Sequence, residues 1–378
     1  MASPIFLSQP SPSLSPSGIL RGVQLGFLGI YRALQNKNLG LFRRGSRGIK
    51  HNDIYIIMKD ILSIEIVRWI IELVLKIVSL TLYKYTGYDY NESFQFFQKR
   101  VVNVNLASVT FAKLLRPGFS DHFLLASLHY FDSTTTPPTT YYQNLMDLDT
   151  SKYTTSEEHN FYSTYTVRIL YKYGLVTKNS ISGTGLNYIN RYSSLVIYNC
   201  IIYMISCIPQ KYSSFCISLL LFQNFINISG VTIAILLALA FSNLPTSYSI
   251  TVIMSFNECR FLMYELLTPY FDRIRFTKLE REQWVKNREG ILFGFAICFD
   301  LLMHHMSYGG LFVLRLSELS LAYLIIKLSD PPPTSQSQLI NWTTSQIIWN
   351  KEKESHVLTG DFVNDEGFAS IPGSYILI

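Results

Sequence analysis

The chain has 378 residues, 48% of them hydrophobic and only 15% charged, with a net charge of +6. Together with a mildly positive mean hydropathy, this excludes a charge-rich disordered protein and points to a membrane-embedded chain with sizeable water-exposed parts. The charge is uneven, since residues after Pro331 carry −3 and leave +9 on residues 1–330. That excess suits anionic lipid headgroups, and no basic helix or aromatic motif marks it for nucleic acid.

Residues 1–18, MASPIFLSQPSPSLSPSG, are rich in Pro and Ser without a charge and read as a disordered start. No basic leader opens a secretory signal there. The run to Lys50 holds seven basic residues and no acid before Asp53, the pattern of a cytosolic flank or of a mitochondrial presequence. Residues 19–330 read as one helical membrane domain.

Within it, ILSIEIVRWIIELVLKIVSLTL (61–82) places Glu65, Arg68, Glu72 and Lys76 at intervals of three, four and four. At about 100° per residue these alternating charges share one stripe of an otherwise apolar helix, so an interfacial or a spanning amphipathic helix is expected. An amphipathic run at Phe94 to Leu115 stops at Pro117 and Gly118, a shorter one follows at Phe123 to Phe131, and a polar Thr/Pro loop is expected over 132–160.

The apolar block 192–257 contains a single charged side chain, Lys211. Its middle run, Ser213 to Phe241, has the length of a helix that crosses a bilayer alone, against a requirement of roughly 20 residues. Gly230 within it reads as a point of close helix approach. The charged helix expected over 265–289 is basic-rich and is placed on the cytosolic side.

Two short apolar arms follow, Gly290 to Met303 and Leu311 to Ile326, joined by HHMSYGG, and predict a hairpin over 290–326. Asp300 and Arg315 stand symmetrically about the turn, and ionisable groups in lipid need partners. The expectation is an intramembrane ion pair of Asp300 with Arg315, with Glu318 one helical turn beyond. Pro331, Pro332 and Pro333 end the helix, and residues 331–378 read as a flexible tail.

No catalytic, cofactor-binding or metal motif is found. His304 and His305 lack an HExxH or HxxHH setting and read as surface contacts. Five cysteines, Cys200, Cys207, Cys216, Cys259 and Cys298, form no CxxC pair and read as apolar fillers. Asn91 and Asn341 fit the three-residue glycosylation pattern, which is too short to carry weight.

ELLTPYFDRIRFT (265–277), REGILFGFA (288–296) and LAYLIIKLSDPPP (321–333) together resemble a fungal family of membrane proteins of lipid droplets and outer spore wall assembly. That family is itself distantly similar to etoposide-induced and sulfate-permease-like membrane proteins. GILRGVQLGFLGIYRAL (18–34) is a weaker match, and the hairpin turn departs from the family pattern by lacking a Pro. The resemblance implies a non-enzymatic, multi-pass protein of lipid droplets and the prospore membrane, acting in spore wall assembly without a cofactor. Its expected partners are membrane lipids, the droplet monolayer and homologous membrane proteins or further copies of itself. Two alternatives stay open: a channel or transporter for a small solute or ion, and a mitochondrial inner-membrane protein.

Overall fold

The computed structural model describes residues 14–35, twelve helical positions between 66 and 84, 96–103 with 106, 107 and 110, 117–134, 140–147, 183–274, 276–306, 310–333 and 336–347. Among these residues it is all α-helical. The elements are α1 (Pro16–Gln35), a π-helical turn (Phe97–Val102), α2 (Pro117–Thr134), α3 (Tyr141–Asp147), α4 (Gly183–Ser206) and α5 (Gln210–Ser229). They continue with α6 (Val231–Ser242), α7 (Thr246–Ile274), α8 (Lys278–Asn287), α9 (Glu289–His305), α10 (Gly310–Leu328) and α11 (Gln336–Ile347).

Local chemistry sets several of these ends. Pro16 and Pro117 open their helices, where a missing N–H costs nothing. Thr277 and Glu280 form a reciprocal capping box at the start of α8: the Glu280 N–H donates to Thr277 Oγ1, and the Thr277 N–H donates to Glu280 Oε2. Pro331 to Pro333 end the apolar run of α10, as expected.

The long run at Ser213 to Phe241 is not one helix. Gly230 sits at φ +83° and splits it into α5 and the 12-residue α6, so the glycine supplies a backbone angle other residues avoid. A side chain there would meet nothing within 4 Å, so the expected close approach is not its role. Among the described residues no helix is long and apolar enough to cross a membrane.

Two apolar clusters form, and α7 runs through both. Val101, Ile202, Ile217, Leu221, Ile250, Ile253 and Met254 join the π-helical turn, α4, α5 and the first half of α7. The larger cluster joins the second half of α7 to α1, α2, α3, α8, α9 and α10, with Trp284, Tyr270, Phe295 and Phe299 fully buried.

At the centre of the larger cluster, α1 packs against α9 and α10. It does so with Gly18, Gly22, Gly26, Gly29 and Ala33 buried on one face, the small-residue pattern that lets backbones approach. A Cβ at Gly22 would lie 2.8 Å from the Ile291 carbonyl carbon and the Phe295 amide nitrogen, and one at Gly294 would lie 2.7 Å from the Ile19 carbonyl carbon. Ser320 Oγ on α10 donates to the Gly26 carbonyl at 3.1 Å. The opposite face of α1 turns Leu20, Phe27, Tyr31 and Leu34 outward.

Several expectations are corrected by this packing. Residues 16–18 are not part of a disordered start, because they open α1, and the basic N-terminal run begins in a core helix. The polar loop expected over 132–160 contains the end of α2 and the whole of α3, which buries Tyr141 and Leu145 against the main cluster; residues 135–139 and 148–160 lie outside the described residues. The charged segment 265–289 is two helices, not one, and part of its charge faces inward: Glu265, Arg288 and Glu289 are buried, and Glu265 accepts from Arg191 at 2.6 Å. The segment after Pro333 is not wholly a tail, since α11 packs on α8 with Thr343 and Gln346 buried.

Of the charge stripe, Glu72 and Lys76 are helical, and Glu65 and Arg68 lie outside the described residues. Around them Ile66, Trp69, Leu73, Val74, Ile77, Val78, Leu80 and Tyr83 are exposed.

Candidate functional site

The first acid after the apolar block, Glu258, lies on α7 where the two apolar clusters meet, and it is fully buried. Helix α9 turns Asp300 and His304, one helical turn apart, toward the same spot. One ligand-capable atom from each of Glu258, Asp300 and His304 lies within 4.8 Å of the others. Asp300 is buried and His304 half-buried.

The wall of this site comes from the π-helical turn. Asn199 Nδ2 on α4 donates to the carbonyls of Arg100 and Val101, at 3.2 and 3.4 Å, and Tyr192 Oη donates to the Val102 carbonyl at 2.5 Å. These bonds fasten the turn to α4. Asn103 closes it in the left-handed region at φ 42°, which Asn tolerates because its short side chain bonds locally. Its Oδ1 accepts from the Leu106 N–H at 3.3 Å. Arg100, donating to Ser255 Oγ at 3.1 Å, and Asn103 thereby stand beside the carboxyls.

Burial raises both carboxyls above their usual range, Glu258 further raised by the Asp300 charge. Arg100 pulls the other way on both, and the Cys259 thiol donates to Asp300. No hydrogen bond of normal geometry reaches either oxygen of Glu258, although Asn103 is close enough to favour its charged form. A buried carboxylate left in that state is costly.

Asp300 therefore does not sit in the pair expected of it. Arg315 Nη1 instead donates to Glu318 Oε2 at 2.5 Å along α10, Ser120 Oγ on α2 donates to Glu318 Oε1 at 2.6 Å, and the guanidinium lies over the Phe123 ring at 5.5 Å. The physical reason is rotational: α9 also packs on α7, and that contact takes the face carrying Asp300 toward Glu258 and Cys259.

A third buried centre was legible only as part of a charged run. Arg288, between α8 and α9, donates from Nε to the Leu328 carbonyl (3.3 Å), from Nη1 to that of Trp284 (3.3 Å) and from Nη2 to that of Gln346 (2.8 Å). Those carbonyls belong to the last turns of α10, α8 and α11, so three negative helix ends converge on one cation. The guanidinium also stacks over Trp284 at 4.4 Å. Burial pulls its pKa down to about 9, which leaves it charged at neutral pH.

An open polar groove of about 570 Å³ is lined by Tyr198, Asn224, Arg260, Tyr264, Lys286 and Glu289. Arg260 and Glu289 approach to 3.7 Å within it. Its mixed charges show no arrangement of nucleophile and base.

Comparison with protein-family models, with curated proteins and with solved structures returns no match for this chain.

Proposed function

We propose that the chain is a non-enzymatic helical protein of lipid droplets and the prospore membrane that supports outer spore wall assembly, lying in the lipid surface without crossing it. The observation that supports lipid contact is the placement of exposed apolar side chains. Leu20, Phe27, Tyr31 and Leu34 form an outward stripe on α1 at intervals of seven, four and three. Ile197, Ile201, Met204, Phe215, Leu219, Val231, Leu236 and Leu239 do the same on α4, α5 and α6, with Met204 67% exposed. Apolar surface this extensive is costly against water and marks a membrane or partner surface.

A droplet is bounded by a monolayer, so a resident protein needs interfacial helices and short hairpins and has no far side to reach. Helices too short or too polar to cross suit that surface. The part played in spore wall assembly rests on the resemblance carried by 265–277, 288–296 and 321–333. The multi-pass path expected from the sequence is set aside in this reading in favour of one-sided embedding. Cleavage of a presequence near residue 50 would remove α1 from the core, which weighs against the mitochondrial alternative. Transport through Arg315 and Glu318 is weakened by their pairing with each other.

Localisation of a fluorescent fusion through sporulation, beside a neutral-lipid dye, tests the proposal together with dye permeability of spores from a deletion strain. Co-localisation with droplets and leaky spore walls support it. A fusion confined to mitochondria, or intact walls in the deletion strain, overturns it.

A further inference from the structure

We propose that Glu258, Asp300 and His304 bind one divalent transition-metal ion that ties α7 to α9. The two carboxyls and one imidazole come from positions 42 and 46 residues apart in the chain and bring their ligand atoms within 4.8 Å of one another. Oxygen and nitrogen donors of this kind suit manganese, iron or zinc in the divalent state, at bond lengths of about 2.0–2.2 Å, so the three groups draw inward on binding.

The independent observation is Glu258. Its side chain is wholly buried and faces the other two donors, and neither of its oxygens receives a hydrogen bond of normal geometry. Natural interiors rarely leave a carboxylate in that condition, and a bound ion is one of the few arrangements that satisfy it. Charge balance points the same way: two carboxylates and a dication form a neutral group, which an apolar junction accepts far better than two adjacent anions. Arg100 already faces the site but is engaged with Ser255 Oγ, and a single guanidinium neutralises only one of the two carboxylates.

Side chains that would orient the ligating carboxylates are in place as well. The Cys259 thiol donates to Asp300, and Asn103 lies beside Glu258; such partners orient ligating carboxylates. The ion is structural in this arrangement, since it sits where the two apolar clusters join, away from the open groove. The inference is independent of the reading in terms of lipid droplets.

The test uses the full chain purified in detergent, stripped with chelator and dialysed against Mn²⁺ or Zn²⁺. The expected result is about one ion per chain and a higher unfolding temperature than the stripped protein. Glu258→Gln and Asp300→Asn each weaken binding at least tenfold, and both variants fold without metal because each removes a buried charge. Pulsed electron paramagnetic resonance of the Mn²⁺ form should show nitrogen coupling that disappears in His304→Ala. Absence of saturable binding to the folded wild-type chain overturns the proposal, as does binding that survives both carboxyl substitutions. If a variant fails to fold, the wild-type stoichiometry and the nitrogen coupling still decide the matter.

Discussion

Replacing Gly22 with Ala should loosen the centre of the molecule, and the crossing of α1 and α9 gives the size of the effect. The new Cβ would stand 2.8 Å from the Ile291 carbonyl carbon and the Phe295 amide nitrogen, where ordinary contact begins at 3.4 Å. The obstacles are backbone atoms, the nearest of them the Ile291 carbonyl oxygen, so no rotamer change relieves them and the helices must separate by roughly 1 Å. A gap of that order forfeits roughly half of the dispersion energy of each atom pair along the contact. With the strain of overpacking, the expected loss is about 1–3 kcal/mol. Gly294→Ala meets Ile19 at the same crossing and should cost a similar amount. Because one separation of the helices relieves both clashes, the double variant should lose clearly less than the sum of the two. Gly26→Ala is the control: its Cβ lies 3.4 Å from Cys298, so the better helix propensity of Ala should leave it neutral or stabilised by up to about 1 kcal/mol. Thermal unfolding in detergent, followed by the fluorescence of buried Trp284, measures all four variants. Equal stability of Gly22→Ala and Gly26→Ala would refute the reasoning.

Other outcomes are expected. Arg288→Met should cost about 3–5 kcal/mol, because three carbonyls at helix ends lose their donor at once; Arg288→Lys should recover only part of this, since one ammonium cannot match the spread of the fork. Arg315→Leu alone should destabilise by about 3–5 kcal/mol by leaving Glu318 buried with only Ser120, whereas Arg315→Leu with Glu318→Leu should cost much less; equal losses in chemical denaturation would contradict the pairing. In maleimide labelling of the folded chain, exposed Cys207 should react first, with Cys259 and Cys298 protected until denaturant is added. Rapid modification of Cys259 would mean that the junction of the two clusters is open.

The helical class was legible because apolar periodicity and proline punctuation are local signals. Pro331 to Pro333 end α10 where they were read to, whereas Pro117, read as a stop, opens α2. The end of α5 was not, because Gly230 in an unbroken apolar run looks the same whether it allows close packing or a positive φ. α1 was missed for a related reason. A stripe of glycines carries no hydrophobic signal, and its meaning depends on Ile291 and Ser320, far along the chain. Asp300 was singled out correctly as an ionisable group that needs company, but its company depends on how α9 is rotated against α7. Glu258 closes an apolar block and belongs to no motif. Only the packing of α7 on α9 brings it to His304.

The guanidinium of Arg288 also sets an order of events. Two of its three acceptors lie downstream, at Leu328 and Gln346, so while the chain is being made this cation waits in an unfinished interior until α11 arrives. Helix α11 is then the latch that completes the interior, and removing it by truncation after Pro333 should trap the chain in a wet, incompletely packed form.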